Sequence, residues 1–459
     1  MNVLVLGGGE SGRGVALLAQ AEGYQVRVSD AGVLSASAKS ELEAANIPFE
    51  EGGHTRADIE QLDLIVKSPG IPWKADFVAF AKTHGVEVLG EMEFCARFAE
   101  RRHQEVRRIG ITGSNGKTTT TLLTTHLLQA VGLRAVAGGN VGTSYARLLL
   151  TPDDYDWIVL ELSSFQLEDI KEFRVDIGMM LNLSPDHLDR YGGNFEAYAA
   201  AKYKLKDTLR PADGRRGALG YWLQASDEVS LAHDTGWMGD FSLLNMPASF
   251  KSGVAQTPWG EVSLTQTQLL GPHNAANATF ALFAATLAIG LSEGQAAEKA
   301  ARPILEEALT TFANAPHRLE HVGFVHGVQF VNDSKATNLD AVDKALASFT
   351  QPIVWIVGGE DKGNDYALLA GHLHRLRAIV AMGVDNSKII RAFADTDIPV
   401  FDTHSLNIAI VNATEAAKSG DVVLLSPACA SFDLFRNYID RGDQFREAVQ
   451  ALPGFRETL

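Results

Sequence analysis

The run RIGITGSNGKTTT, from Arg108 to Thr120, sets Gly113, Ser114, Asn115, Gly116, Lys117, Thr118 and Thr119 between an apolar strand-like stretch and a helix-like one. Glycines there let backbone N–H groups close on phosphate oxygens, and a helix N-terminus adds positive potential. Lys117 can bridge the outer phosphates, and the Thr118 hydroxyl can hold Mg2+. This is the equipment of a nucleoside-triphosphate site, and ATP is the expected ligand. The strict P-loop pattern wants glycine where this chain has Ile111, with Gly110 and Gly113 standing instead, a departure that points away from GTPases.

A second glycine-rich turn stands at the N-terminus. Gly7, Gly9 and Gly12 spell G-x-G-x-x-G after the run VLVL, and Asp30 ends the next strand-like run. An acidic residue roughly 20 positions on is the dinucleotide fingerprint, yet any phosphate-bearing nucleotide can use the same turn and helix N-terminus. A nicotinamide enzyme and a nucleotide-tagged substrate both fit; two phosphate loops in one chain ask for two ligands, which favours the second. Further along, DWIVLELSSFQL sets Glu161 and Ser163 at a strand's C-terminal end, and NLSPDHLDRYGG gives His187 the same placement after DIGMMLN. Ligands of open α/β sheets bind at such ends, where a carboxylate and an imidazole near a phosphate loop can hold a divalent cation. Lys202, in FEAYAAAKYKLKD, cannot be told from a solvated lysine by spacing.

Positioning these residues requires α/β scaffolding. VLVL, QVRVSD, DLIVKSPG and GVEVLG alternate with helix-like segments until the charged run RFAERRHQEVRR breaks the rhythm. RIGIT, RAVAG, DWIVLELS and DIGMMLN repeat the pattern, and HNAANATFALFAATLAIG predicts a buried closing helix. Asp213–Ser263 is Gly-rich and irregular, and predicts short antiparallel strands without a clear helix. After Ala315 comes a hairpin pattern, HVGFVHGVQFVN, then PIVWIVGG, RAIVAMG and DVVLLSP. The expectation is an α/β protein of three domains. These are a Rossmann-like parallel sheet over 1–99, a P-loop ATPase-like domain over 100–315, and a Rossmann-like domain over 316–459.

With 56 acidic residues against 40 basic ones the net charge is -16, which disfavours nucleic-acid phosphates as partners. MNVLVLGGG lacks the basic start and apolar run of a signal peptide, and no run of roughly 18 apolar residues stands out. Cytoplasmic residence without membrane insertion is expected. Cys95 and Cys429, the only cysteines, offer neither a disulfide framework nor a metal-ligand spacing. No Ser-His-Asp arrangement or kinase motif competes with the phosphate loop.

In order along the chain stand GSNGKTTT, ELSSFQL, NLSPDHLDRYG, AAK at Lys202, HNAAN at His273, PHR at His317, NDSKATN at Asn332 and LLSPACASFDLF at Leu424. Together they resemble the Mur ligases over essentially the whole chain. The first four are shared in kind with folylpolyglutamate synthases, so glutamate addition to folate is the nearest alternative, whereas NDSKATN and SPACASFD resemble the D-glutamate-adding branch.

The resemblance implies an ATP-dependent amide-forming ligase of peptidoglycan precursor synthesis, a monomer acting on UDP-N-acetylmuramoyl-L-alanine and D-glutamate. It implies that the domain over 1–99 binds the UDP-substrate and the domain over 316–459 the amino acid, and that Lys117, Thr118 and the neighbouring loop residues hold ATP. Thr118, Glu161 and His187 would serve Mg2+, and Lys202 would carry a carbamate supporting a second Mg2+. Lys117, His187 and Lys202 form the implied catalytic set. Asn277, Arg318, Asp333 and Lys335 would embrace the nucleotide. Gly9, Ser11, Gly12, Asp30, Gly70, Asn140 and Ser163 would bind the UDP substrate, and Thr337, Lys362, Ser431 and Tyr438 the D-glutamate. The chain departs from the pattern at Ala31, where a threonine hydroxyl is expected, and at Tyr438, where phenylalanine is expected. The Gly-rich stretch 213–241 is also longer than the family needs.

Overall fold

The computed structural model describes residues 1–102, 105–151, 154–210, 220–234, 241–361 and 363–458. They form two compact bodies, Met1–Ser249 with Thr279–Ala308, and Phe250–Ala278 with Leu309–Leu459.

The first body holds two parallel sheets. β1 (Asn2–Leu6), β2 (Gln25–Asp30), β3 (Phe49–Glu51), β4 (Leu64–Lys67) and β5 (Glu87–Gly90) lie in the order β3-β2-β1-β4-β5. VLVL is apolar without alternation because both faces of β1 are covered, as parallel sheets require. Val3 and Val5 pack with Val15, Ala16 and Leu18 of helix Glu10–Ala21, while Leu4 and Leu6 pack with Phe77, Val78 and Ala81 of helix Asp76–Thr83. The winding reverses between β1 and β4, so the crevice at their C-terminal ends is where such a sheet takes a ligand. The Gly7–Gly12 turn and the loop after Lys67 face each other there, with Ser68 Oγ donating to the Gly7 carbonyl at 3.3 Å.

The second sheet comprises β6 (Arg107–Thr112), β7 (Ala135–Gly139), β8 (Trp157–Glu161), β9 (Ile177–Met180), β10 (Gly220–Gln224) and β11 (Phe241–Asn245), ordered β11-β10-β9-β6-β8-β7. All neighbours pair in parallel. This corrects the expectation of antiparallel strands throughout Asp213–Ser263. Trp222 and Leu223 of β10 are fully buried, and the Trp222 indole fills the space over Gly178, where a Cβ would come within 2.8 Å of it. That pairing across the sheet is invisible to local alternation. A short helix, Glu228–Ala232, also lies in this stretch, its N-cap Asp227 accepting from the Ser230 N–H at 2.9 Å. Only β12 (Val254–Thr257) and β13 (Gly260–Ser263) are antiparallel there. Residues 211–219 and 235–240, which include part of the Gly-rich stretch 213–241, lie outside the described residues. The first two sheets share one core, in which Leu18, Phe94 and Phe98 join Tyr145, Ala146 and Phe173.

The third sheet, in the second body, runs β14 (Glu320–Val325), β15 (Val328–Asn332), β16 (Ile353–Val357), β17 (Leu376–Met382), β18 (Val400–Thr403), β19 (Val422–Leu425) and β20 (Phe455–Arg456), ordered β18-β17-β16-β19-β15-β14-β20. The expected hairpin is β14–β15, closed by His326 and Gly327 with φ of 51° and 78°, the left-handed pair that a two-residue turn demands. The edge strands β18 and β20 are too short to register as periodic runs.

The expected buried helix is Gly271–Glu293. It corrects the reading that no apolar run is of membrane length. It is the one described helix long and apolar enough to span a bilayer, and 67% of its apolar window is buried inside the protein.

Candidate active site

The phosphate loop leaves the centre of the second sheet, where β6 lies between β8 and β9. Gly113 and Gly116 take φ of 150° and 84°, and a Cβ on Gly113 would press the Leu181 side chain at 3.0 Å, so both positions call for glycine. Gly116 is the N-cap of helix Lys117–Ala130. The segment after β9 grips the loop. Asn182 accepts from the Asn115 N–H at 2.9 Å and donates back to the Asn115 carbonyl at 3.0 Å, while Ser114 Oγ donates to the Ser184 carbonyl at 2.8 Å and meets the Tyr198 hydroxyl at 3.0 Å. Lys117 folds over the loop, its Nζ donating to the carbonyls of Gly113 and Ser114 at 2.8 Å each. Thr119 is buried in the following turn.

Three expected residues converge at the end of β8. The Thr118 hydroxyl donates to Glu161 Oε2 at 2.7 Å, and the Asn140 amide donates to Oε1 at 2.8 Å. Glu161 is 3% exposed, so its carboxylate is held by these two contacts out of bulk water. A hydroxyl and a carboxylate at one point form a hard-oxygen donor pair suited to Mg2+.

Lys202 is a buried lysine on helix Phe195–Tyr203, 1% exposed, with Nζ donating to the Gly113 carbonyl at 2.7 Å. Burial foremost, then the positive charge of Lys117, pushes its amine well below the ordinary lysine range, against the pull of Asp186 and Glu161. A depressed pKa favours the neutral, nucleophilic form of the amine over the ammonium of a solvated lysine.

His187 has left-handed backbone at φ 51° on an exposed turn. Its ring lies 5.3 Å from that of Phe165 and 3.6 Å from the Asp186 carboxylate. No group of three His, Cys, Asp or Glu side chains poised for a metal occurs among the described residues. Thr118 and Glu161 meet at one point and Lys202 lies against the same loop, whereas His187 stands on an exposed turn.

At the N-terminal sheet, Asp30 closes the glycine turn, accepting from the Gly8 N–H at 2.7 Å and the Gly32 N–H at 2.8 Å. A Cβ on Gly12 would sit 1.8 Å from the Gly7 carbonyl oxygen, whereas Gly9 and Gly70 have open space where a side chain would go. Ala31 is exposed. Ser11 faces Glu91, a residue sequence reasoning passed over. Glu91 is fully buried at the start of helix Glu91–Arg102, and burial raises its carboxyl to about 7 despite the Ser11 hydroxyl and the Gln166 amide nearby. Gln166 in turn completes a capping box with Ser163, whose Oγ donates to Gln166 Oε1 at 3.0 Å.

In the second body Asn277 stands on helix Gly271–Glu293, Tyr438 begins helix Tyr438–Gln450, and Arg318, Asp333, Lys335, Thr337 and Ser431 lie on loops beside β14, β15 and β19. Asn277 is buried and donates to Asn274 Oδ1 at 3.0 Å. Arg318 follows His317, whose left-handed backbone, φ 66°, makes a sharp turn, and whose Nδ1 accepts from Asn332 at 3.0 Å. Asp333 accepts from Ser426 Oγ at 3.0 Å and the Leu319 N–H at 3.2 Å, and burial pushes it up to about 7. Lys335 lays its ammonium 3.9 Å from the centroid of the Tyr438 ring, a cation–π contact that phenylalanine could also make. Thr337 is exposed and Ser431 is 2% exposed. Lys362 lies outside the described residues.

Arg441, unnoticed in the sequence, holds these loops together. Fully buried, it donates to Ser334 Oγ at 3.0 Å and to the Ser334 carbonyl at 2.9 Å, and Nη1 and Nη2 reach the Cys429 carbonyl at 3.3 Å each. The loop bearing Lys335 and Thr337 is thereby tied to the loop bearing Ser431.

A triphosphate loop, a carboxylate–hydroxyl pair and a buried amine on parallel α/β sheets define a nucleotide-dependent enzyme. The family models agree: residues 1–90 match the Mur ligase MurD-like N-terminal domain, 111–285 the Mur ligase middle domain, and 317–429 the Mur ligase glutamate ligase domain. The chain belongs to the Mur ligase family. It is 43% identical to a UDP-N-acetylmuramoylalanine–D-glutamate ligase of Cytophaga hutchinsonii, over 98% of this chain and 99% of the relative. It is 39% identical to the protein of the same name in Christiangramia forsetii, with the same coverage. Among solved structures, the fold resembles the UDP-N-acetylmuramate-alanine ligase MurC of Thermotoga maritima (TM-score 0.60, 18% identity, 98% of this chain and 99% of that one). It also resembles a type C pseudomurein peptide ligase of Methanothermus fervidus (TM-score 0.57, 18% identity, with the same coverage).

Proposed function

We propose that this chain joins D-glutamate to the L-alanyl carboxylate of UDP-N-acetylmuramoyl-L-alanine with conversion of ATP to ADP and phosphate, a step of peptidoglycan precursor synthesis. The observation that carries the reading is the meeting of Thr118, Glu161 and Lys202 around the loop of Lys117. Near-full-length likeness to ligases of that name supports the choice of substrates.

In this reading an oxygen of the L-alanyl carboxylate attacks the γ-phosphorus, ADP departs, and an acyl phosphate forms. The nitrogen of D-glutamate then attacks the acyl carbon, phosphate departs, and the nitrogen loses a proton to leave the amide. Lys117 turns from its loop carbonyls to the transferred group, offsetting its charge. Thr118, Glu161 and His187 are the groups that would hold Mg2+, which supplies charge neutralisation on phosphate oxygens. The Lys202 nitrogen, in its neutral form, would add to the carbon of CO2 and lose a proton, and the carbamate so formed would hold a second Mg2+. The glycine turn with Ser11, Asp30 and Gly70 takes the UDP moiety, and Asn140 and Ser163 the muramoyl portion. Asn277, Arg318, Asp333 and Lys335 complete the ATP site, while Thr337, Lys362, Ser431 and Tyr438 surround D-glutamate. The protein acts as a monomer in the cytoplasm.

Lys117→Ala tests the phosphate loop. The variant should keep the wild-type melting temperature and lose about 10²–10³-fold in phosphate release, the scale set by removing one transition-state donor. Near-normal turnover would overturn the assignment of this loop.

A further inference from the structure

The turn that carries His187 also carries Arg190, whose guanidinium reaches the loop after β4. Nη1 donates to the Gly70 carbonyl at 3.0 Å. Nη2 donates to the carbonyls of Pro69 and Ile71 at 3.3 Å each and pairs with Glu168 Oε2 at 3.2 Å. The guanidinium carbon stands 4.4 Å from the centroid of the Phe165 ring. The side chain is 9% exposed, so these contacts are largely shielded from water.

On its other side, Arg190 belongs to the His187 turn. Its N–H donates to the His187 carbonyl at 3.0 Å, and the Phe165 ring it stacks on is the ring that touches the His187 imidazole at 5.3 Å. Within the 69–71 loop the Ile71 N–H donates to the Ser68 carbonyl at 3.0 Å and the Ile71 side chain packs on the sheet's core, while a Cβ on Gly70 would meet nothing within 4 Å, so the Pro69 and Gly70 peptides are held from outside by Arg190. Because a peptide unit is planar, fixing the Pro69 carbonyl also fixes the direction of the Gly70 N–H. One planar cation therefore sets both the loop and the imidazole turn, which a lysine, with a point charge and no flat face, cannot do.

We propose that Arg190 is a positioning residue that ties the 69–71 loop of the nucleotide-sugar site to the His187 turn, so that substrate and imidazole are brought into register by one side chain. This rests on the assignment of UDP-N-acetylmuramoyl-L-alanine to that crevice.

The test uses the full chain, with Arg190→Lys and Glu168→Gln made singly and together. Direct titration calorimetry with UDP-N-acetylmuramoyl-L-alanine, without ATP or D-glutamate, is set beside the KM values of all three substrates. Arg190→Lys should weaken nucleotide-sugar binding about tenfold or more, as the loss of geometrically matched charge-assisted bonds predicts, while the KM for ATP stays within about twofold. Glu168→Gln should shift the same affinity in the same direction by less, and the double variant should fall short of the product of the two. If Arg190→Lys fails to fold, Glu168→Gln carries the test through the same split between substrates. Unchanged nucleotide-sugar affinity in the variants, or an equal loss for all three substrates with a lowered melting temperature, overturns the proposal alone. Wild-type protein that does not bind this nucleotide sugar overturns the functional reading, and the proposal with it.

Discussion

Glu91→Gln should gain stability over wild type as pH rises from mild acid to alkaline values. The Glu91 carboxyl is fully buried, and burial raises it from an ordinary 4.5 to about 7. A folded-state pKa above the unfolded one means the native protein binds the proton more tightly. The group's contribution is therefore fully present below the unfolded value, is lost as pH rises, and levels off above the folded value. At about 1.4 kcal/mol per pKa unit, the ionised carboxylate costs roughly 3 kcal/mol above pH 8, and less than half of that near pH 5.5. Glutamine keeps the shape and removes the titration, so the stability difference between variant and wild type should grow by about 2 kcal/mol across that interval. For a body of this size that corresponds to a relative melting-temperature gain of roughly 4 °C, readable by differential scanning calorimetry in matched buffers. A difference that is the same at both pH values would refute the account of Glu91 as a buried, desolvated carboxyl.

Thr118→Val removes the hydroxyl that donates to Glu161 at 2.7 Å, and should raise the Mg2+ concentration needed for half-maximal phosphate release while cutting the maximal rate about 10²-fold or more. A Cβ on Gly12 would meet the Gly7 carbonyl oxygen at 1.8 Å, so Gly12→Ala should lower the melting temperature and abolish calorimetric binding of the nucleotide sugar. Arg441→Lys cannot span Ser334 and Cys429 as the guanidinium does, and should raise the KM for D-glutamate about tenfold while leaving nucleotide-sugar binding unchanged.

The parallel sheets were legible because their central strands are buried on both faces and appear as unbroken apolar runs between helix-like segments, as in VLVL and WIVLE. The phosphate loop was legible because GSNGKTT constrains backbone and charge together within one turn. β10 was misread because its burial comes from a long-range contact, Trp222 over Gly178, which no local period reports, and β11 because it is a half-exposed strand whose place is set by parallel pairing with β10. The same limit hid the burial of Lys202: a lysine on a helix of mixed face looks solvated until the Gly113 carbonyl is seen at 2.7 Å. Glu91 and Arg441 escaped notice for the same reason. Each is an ordinary charged residue in its segment, and only the fold strips it of water. Resemblance to a family supplied the roles of Lys202 and of the NDSKATN and SPACASFD loops, which spacing and composition left open.

The most direct measurement is phosphate release and product mass with ATP, Mg2+ and UDP-N-acetylmuramoyl-L-alanine, to which D-glutamate, L-lysine or meso-diaminopimelate is added separately. The account predicts stoichiometric phosphate and a product heavier by one glutamyl residue with D-glutamate alone. Turnover with another of these amino acids in place of D-glutamate, or phosphate release with no amide formed, would contradict it.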